Sequence, residues 1–199
     1  MRPPPRPDRP ARRPRRHHDQ RPSERDPRPL FQAIQRLAQA GRLQPTEVQF
    51  RFRASHHEDL LRSLGQEYGI TPFIDICPPI PYRDALVEMM RADGLLVMQS
   101  NGCNDQIPAK IYEYLRAGRP MLCLADPIGD TAGVMKQAGL PDIAALESAD
   151  DIAALLPEFL ARLRQGQARL PQTEIVQQAS RRQRAAEFVP MLERIISKR

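Results

Sequence analysis

Apolar residues recur along this chain with two alternating periods, one helical and one extended. Asp26-Pro27 reads as a helix start, with Asp as N-cap and Pro at the first helical position. Leu30, Ile34, Leu37 and Ala38 then share one face, and Gly41 closes the helix. Glu47–Arg53 places Val48, Phe50 and Phe52 against polar neighbours, the pattern of a strand with one exposed face. Ser55 is the expected cap of a helix reaching Tyr68, with Leu60, Leu61 and Leu64 inward and Gly69 at its end. A short apolar strand at Phe73–Ile76, a loop at Cys77–Pro81 and an amphipathic helix at Tyr82–Ala92 follow. Gly94–Met98 is wholly apolar, as a central parallel strand requires.

A polar loop over Gln99–Gln106 leads to Pro108, which opens a helix that stops at Gly118. Pro120–Leu124 is a second buried strand, Gly129–Ala138 a helix, Ile143–Leu146 a last strand and Asp151–Leu163 a helix capped at Asp150-Asp151. A linker near Gly166–Pro171 precedes a terminal helix from Thr173, which Pro190 is expected to kink or interrupt. Strands and helices thus alternate, and the expected fold is α/β: a Rossmann-like doubly wound parallel sheet with helices on both faces. The order begins with a helix where such a domain begins with a strand, so one strand is missing ahead of Asp26.

Composition divides the chain. Residues 1–30 hold nine of the 21 prolines and ten arginines against four acids, a net +6; the remainder has 20 basic and 20 acidic residues. The expected organisation is a disordered Pro/Arg-rich arm over 1–25, the Rossmann-like domain over 26–165, and a linker with C-terminal helix over 166–199. The folded part carries no excess charge, so specific nucleic-acid binding is not implied. Cys77, Cys103 and Cys123 form no disulfide framework, which points to a reducing, cytoplasmic setting, the membrane surface included. No apolar run reaches the ~20 residues of a membrane span.

The chemistry concentrates at 99–126. In open α/β sheets ligands bind beyond the carboxyl ends of the strands. The loop Gln99–Gln106 lies there, and the helix opening at Pro108 turns its free N–H groups into it, which suits a diphosphate. Lys110, one of three lysines among 27 arginines, stands in that helix's first turn. Glu113 is three residues on, placed either to accept from ribose hydroxyls or simply to pair with Lys110.

Other polar residues read as structural. His56-His57 beside Glu58 and Asp59 do not share a helix face, so they make a solvated helix start and no metal site. Met89, Met90, Met98 and Met121 are core fillers. Cys103 has no base to activate it. The basic run 181–184 is a solvated helix face.

Ile107–Leu124 resembles the helix–strand segment of GT-B glycosyltransferases of the large retaining class that includes sucrose and glycogen synthases. That class carries Glu-x7-Glu followed by a small-residue–Gly–x–Pro turn. Glu113 matches the second Glu, Ala117-Gly118-Arg119-Pro120 the turn, and the first Glu position falls on Asp105, a shorter acid, eight residues before Glu113. Pro81–Leu86, Ala92-Asp93, Asp126-Pro127 and Gly129–Ala132 extend the resemblance over 26–165.

The resemblance implies a donor domain that binds a nucleotide-diphosphate sugar. Asn104, Asp105, Gln106, Ile107 and Lys110 would hold the sugar and diphosphate, Glu113 the ribose, and Pro79, Ile80 and Tyr82 would line the nucleobase. Transfer would retain anomeric configuration, with no metal and no cofactor; the nucleotide sugar is the substrate. The acceptor half, which such enzymes carry as a second domain with the catalytic residues, is not legible here. A fragment of a longer enzyme, a half-enzyme working with a separate acceptor-domain chain, and a non-catalytic nucleotide-binding or interaction module with a basic tail all fit the sequence.

Overall fold

The structure, a computed structural model, describes residues 25–178 and 181–196, with side chains left undescribed at a few positions of the last helix. The expected disordered arm lies outside the described residues apart from Arg25, and so do the side chains of the run 181–184.

Helix α1 (Arg28–Gln39) leads to strand β1 (Phe50–Arg53), α2 (Glu58–Glu67), β2 (Ile74–Cys77), α3 (Tyr82–Arg91) and β3 (Leu95–Met98). Then come α4 (Ala109–Ala117), β4 (Met121–Leu124), α5 (Asp130–Gln137), β5 (Ile143–Ala144), α6 (Ala149–Arg164), α7 (Thr173–Gln178) and α8 (Arg181–Ile196). Single 3-10 turns occupy Thr71–Phe73 and Asn101–Cys103.

All strand pairs are parallel. β1 pairs β2 with Phe50 opposite Ile74, β3 pairs β4 with Leu95 opposite Met121, and β4 pairs β5 with Cys123 opposite Ile143. Side-chain alternation then distributes the two faces. Phe50, Phe52, Leu96, Met98, Leu122 and Leu124 pack into one cluster with α1, α2 and α6. Leu95, Val97, Met121 and Cys123 point the other way, into a cluster with α4 and α5 that Met89 of α3 and Ile175 and Val176 of α7 extend. Helices therefore cover both faces, as a Rossmann-like α/β fold demands. The sheet is divided, however, into β1-β2 and β3-β4-β5. The division falls where a strand ahead of α1 would lie in a doubly wound order.

Several boundary expectations are corrected by local backbone geometry. Pro27 takes helical angles and becomes the N-cap of α1, while the Asp26 carboxylate accepts the Arg28 N–H at 3.0 Å. His57, not Ser55, is the N-cap of α2; Ala54 and His56 sit at φ 53° and 61°, and the turn they make leaves Ser55 Oγ accepting from His57 N–H. Ser148 caps α6 by accepting the Asp151 N–H, leaving Asp150 and Asp151 in the first turn, where the helix dipole favours acids. The terminal segment forms two helices, and α8 continues through Pro190. The carbonyl that this proline leaves without an N–H belongs to exposed Ala186, open to solvent. Leu60 and Met90 are not core residues: they are 41% and 51% exposed, because Leu61, Leu64 and Met89 take the inward positions on their helices.

Candidate functional site at the carboxyl edge of the strands

The loops following β3 and β4 meet at the carboxyl edge of their sheet. The loop after β3 is organised by Gln99, only 3% exposed although it follows an apolar strand. Its amide accepts from Arg25 Nε at 3.3 Å and donates to the carbonyls of Cys103 (3.3 Å) and Gln106 (3.4 Å). One buried side chain thus ties both ends of the turn 103–106 to the strand. Thr131, 2% exposed at the start of α5, also donates to the Gln106 carbonyl at 3.1 Å. A buried amide or hydroxyl without such partners is costly, so these contacts fix the loop.

The loop after β4 closes on the same turn. Asn104 Nδ2 donates to Asp126 Oδ2, and the Asn104 carbonyl accepts the Asp130 N–H at 3.0 Å. Asp126 Oδ1 accepts the Ile128 N–H at 3.0 Å. The Ile128 amide, and then the Asn104 side chain, hold the Asp126 carboxyl below its ordinary pKa. Gly129 lies close to the bridge: a Cβ there would stand 3.0 Å from Asn104 Oδ1, so that side chain would have to give by a few tenths of an ångström.

Helix α4 enters this loop with Pro108 as N-cap, no side-chain cap and no acid in its first turn. The Ile111 amide already donates to the Pro108 carbonyl at 3.0 Å, which leaves those of Ala109 and Lys110 for an anion. Lys110 and Glu113 lie on one face and are joined at 3.0 Å, with side chains 65% and 35% exposed. The Glu113 carboxylate is the main reason that the Lys110 ammonium is held above its ordinary pKa; burial opposes this, while Tyr114 and Tyr82 add to it. Helix α3, which Tyr82 opens at the end of the loop after β2, packs beside α4. Tyr82 itself is 64% exposed, Pro79 is exposed and Ile80 half-buried. Asp105 and Gln106 are exposed, and Ile107 packs against the second core cluster. The structure thus brings Asn104–Ile107, Lys110 and Glu113 together, with Tyr82 on their flank.

Sequence reasoning missed Gln99, Thr131 and the Asn104–Asp126 bridge as organisers of the site. A glutamine directly after an apolar strand was the one available signal. It also missed a polar cluster beneath α3. Arg51 Nε donates to Asp75 Oδ2 at 2.7 Å, Arg53 grips Glu88 of α3 with two nitrogens, and Arg53 Nη1 donates to the Pro78 carbonyl at 2.7 Å. These bonds hold the Glu88 and Asp75 carboxyls below their ordinary pKa; for Glu88 the Arg53 hydrogen bond dominates, for Asp75 the Cys77 thiol and then Arg51. The face of β1 expected to be solvated is therefore partly covered by α3.

All three cysteines are free, and burial pushes the Cys123 thiol up to about 12, away from any nucleophilic role. Among the described residues no group of His, Cys, Asp and Glu has the arrangement of a metal site, and no helix is long and apolar enough to cross a membrane. No protein-family model and no curated protein matches this chain.

Proposed function

We propose that this chain binds a nucleoside-diphosphate sugar as the donor-binding half of a retaining GT-B-type glycosyltransferase. The observation that carries the reading is the placement of Lys110 and Glu113 at the uncapped start of α4, beyond the carboxyl end of β3. A diphosphate at that helix start meets free amides and the Lys110 ammonium. Lys110 then exchanges Glu113 for phosphate oxygens, and the Glu113 carboxylate turns to the ribose hydroxyls. Asn104, Asp105, Gln106 and Ile107 line the diphosphate and sugar, while Pro79, Ile80 and Tyr82 flank the base. The chemical step belongs to a second, acceptor-binding domain or chain, with positive groups on this half stabilising the departing nucleoside diphosphate.

The test is the melting temperature of the folded chain against UDP, GDP, ADP and TDP, with Glu113→Ala as control. A ligand at ~100-fold excess over Kd adds roughly 2.7 kcal/mol of stability. A base-selective rise that the substitution abolishes supports the reading. No rise with any nucleotide overturns it.

One observation favours a second reading, that of an interaction module. Phe188, Val189, Leu192, Ile195 and Ile196 of α8 are all more than half exposed. Apolar surface on that scale suits a partner protein. A folded chain that binds no nucleotide but associates through α8 would establish it.

A further inference from the structure

Asparagine occurs only twice in the 199 residues, at Asn101 and Asn104, and both lie in the loop after β3. An asparagine amide is chemically labile, because the backbone nitrogen of the next residue lies within reach of its carbonyl carbon. The bulk of that next residue and the grip on the amide set how fast the attack occurs. The two asparagines differ in both.

Asn104 is locked. Its Nδ2 donates to Asp126, its backbone carbonyl accepts the Asp130 N–H at 3.0 Å, and its side chain lies against Gly129. Asp105 follows it, so a side chain crowds the nitrogen that would attack.

Asn101 is exposed, and among the described residues its side chain makes no hydrogen bond. Gly102 follows, also exposed, and its N–H has no acceptor among the described residues. A Cβ at Gly102 would meet only Ser100 Oγ, at 3.6 Å, so the space about its nitrogen is open. Glycine also gives this peptide the widest choice of backbone angles.

The turn Asn101–Cys103 holds the pair in 3-10 geometry, in which nitrogen and side chain are poorly aligned for attack. One backbone bond closes that turn, from the Cys103 N–H to the Ser100 carbonyl at 3.0 Å. The anchors of the loop lie further on: Gln99 holds the carbonyls of Cys103 and Gln106, and Thr131 holds that of Gln106 again. Opening at 100–102 therefore breaks a single backbone bond and leaves 103–106 in place, a local event far cheaper than unfolding.

We infer that Asn101-Gly102 is a site of spontaneous modification that turns Asn101 into aspartate and isoaspartate, while the Asp126 bridge spares Asn104. The Gly102 nitrogen gives its proton to hydroxide and bonds to Asn101 Cγ. The bond from Cγ to Nδ2 breaks, the leaving nitrogen takes a proton from water and departs as ammonia, and a cyclic succinimide remains. Water then adds to one of its two carbonyl carbons. Ring opening at Cγ gives aspartate; ring opening at the Asn101 backbone carbonyl carbon gives isoaspartate, whose main chain runs through the former side chain. Nothing is oxidised or reduced.

Both products put a negative charge into the loop that meets the start of α4, where Asn101 carries none. The consequence for binding rests on the reading of that start as a diphosphate site: a like charge repels the ligand. The modification itself stands apart from that reading.

The experiment ages the full chain at mildly alkaline pH and follows both asparagines by mass spectrometry of proteolytic fragments, beside a synthetic peptide of residues 97–106. Asn101 is expected to gain the mass of an amide turned acid roughly tenfold or more faster than Asn104. Gly102→Ala slows the Asn101 conversion by a similar factor, of roughly tenfold. Asp126→Ala speeds conversion at Asn104 and leaves that at Asn101 unchanged. An Asn101 amide still intact when that of the peptide has converted, or conversion of Asn104 at the rate of Asn101, overturns the assignment. The melting temperature with UDP, GDP, ADP and TDP reads the consequence. The aged chain and Asn101→Asp are expected to show a smaller rise than the fresh chain. A modified chain with the full rise overturns the effect on binding. No rise in the fresh chain overturns the diphosphate reading and leaves the mass result as it was.

Discussion

Asn104 and Asp126, 22 residues apart in the chain, share a hydrogen bond that locks the loop after β3 to the loop after β4. Replacing Asn104 with Ala removes one of the two groups that depress the Asp126 pKa. The Asp126 carboxyl then titrates nearer its ordinary value, which its carboxyl-carbon NMR shift against pH reads directly. The sign follows: a depressed carboxylate stabilises the fold above its ordinary pKa, and that contribution is lost as pH falls through the folded value. Asn104→Ala therefore narrows the acid-dependent part of the stability curve; an unchanged Asp126 titration would contradict the bridge.

Lys110 and Glu113 separate binding from stability. Their pairing is an exposed i,i+3 contact worth about 0.2–0.5 kcal/mol. Lys110→Met is expected to leave urea unfolding within that margin while removing the nucleotide-dependent rise in melting temperature. Loss of fold, or an undiminished rise, would show that Lys110 does not meet the phosphates.

Ile111 lies one residue beyond Lys110 on α4 but faces the core with no exposed surface. Ile111→Ala should cost about 2–5 kcal/mol in chemical denaturation. That substitution marks the structural face of the helix, as Lys110→Met marks its binding face.

Gly118 ends α4 at φ 65° with open space around the position of a Cβ. Gly118→Ala meets no steric obstacle beyond the left-handed backbone itself, so about 1 kcal/mol of destabilisation is expected. Gly118→Asn should cost less, because Asn tolerates that conformation. Equal melting temperatures for all three residues would refute the cap.

Glu88 anchors α3 to β1 through Arg53. Its depressed pKa means that the anchor is intact above the ordinary carboxylate pKa and released as pH falls through the folded one. Protection of the Tyr82–Arg91 amides, relative to the intrinsic exchange rate at each pH, should fall over that acid window in the native chain. In Glu88→Gln protection should already be lower at neutral pH and respond less to acid.

Much of this was legible in the sequence. The alternation at Phe50 and Phe52, the helical spacing of Leu30, Ile34 and Leu37, and glycines at 41, 69, 118 and 139 delimit elements because each is a local property of the backbone. All four of those glycines sit at positive φ, where glycine is favoured. The Lys110–Glu113 pair is equally local, set by one turn of helix. The parallel character of the sheet follows from strands and helices taking turns.

Tertiary structure alone decided what depends on distant partners. Asp126 reads only as half of the Asp126-Pro127 motif until the fold lays it against Asn104. Arg51 and Arg53 read as a solvated strand face until α3 delivers Glu88. Gln99 reads as the first loop residue until the chain closes around it and burial obliges its amide to find Arg25, Cys103 and Gln106. The division of the sheet between β1 and β3 is of the same kind. Local periodicity fixes which residues form a strand, but a strand's neighbour is chosen by hydrogen bonds and burial between segments far apart in the chain.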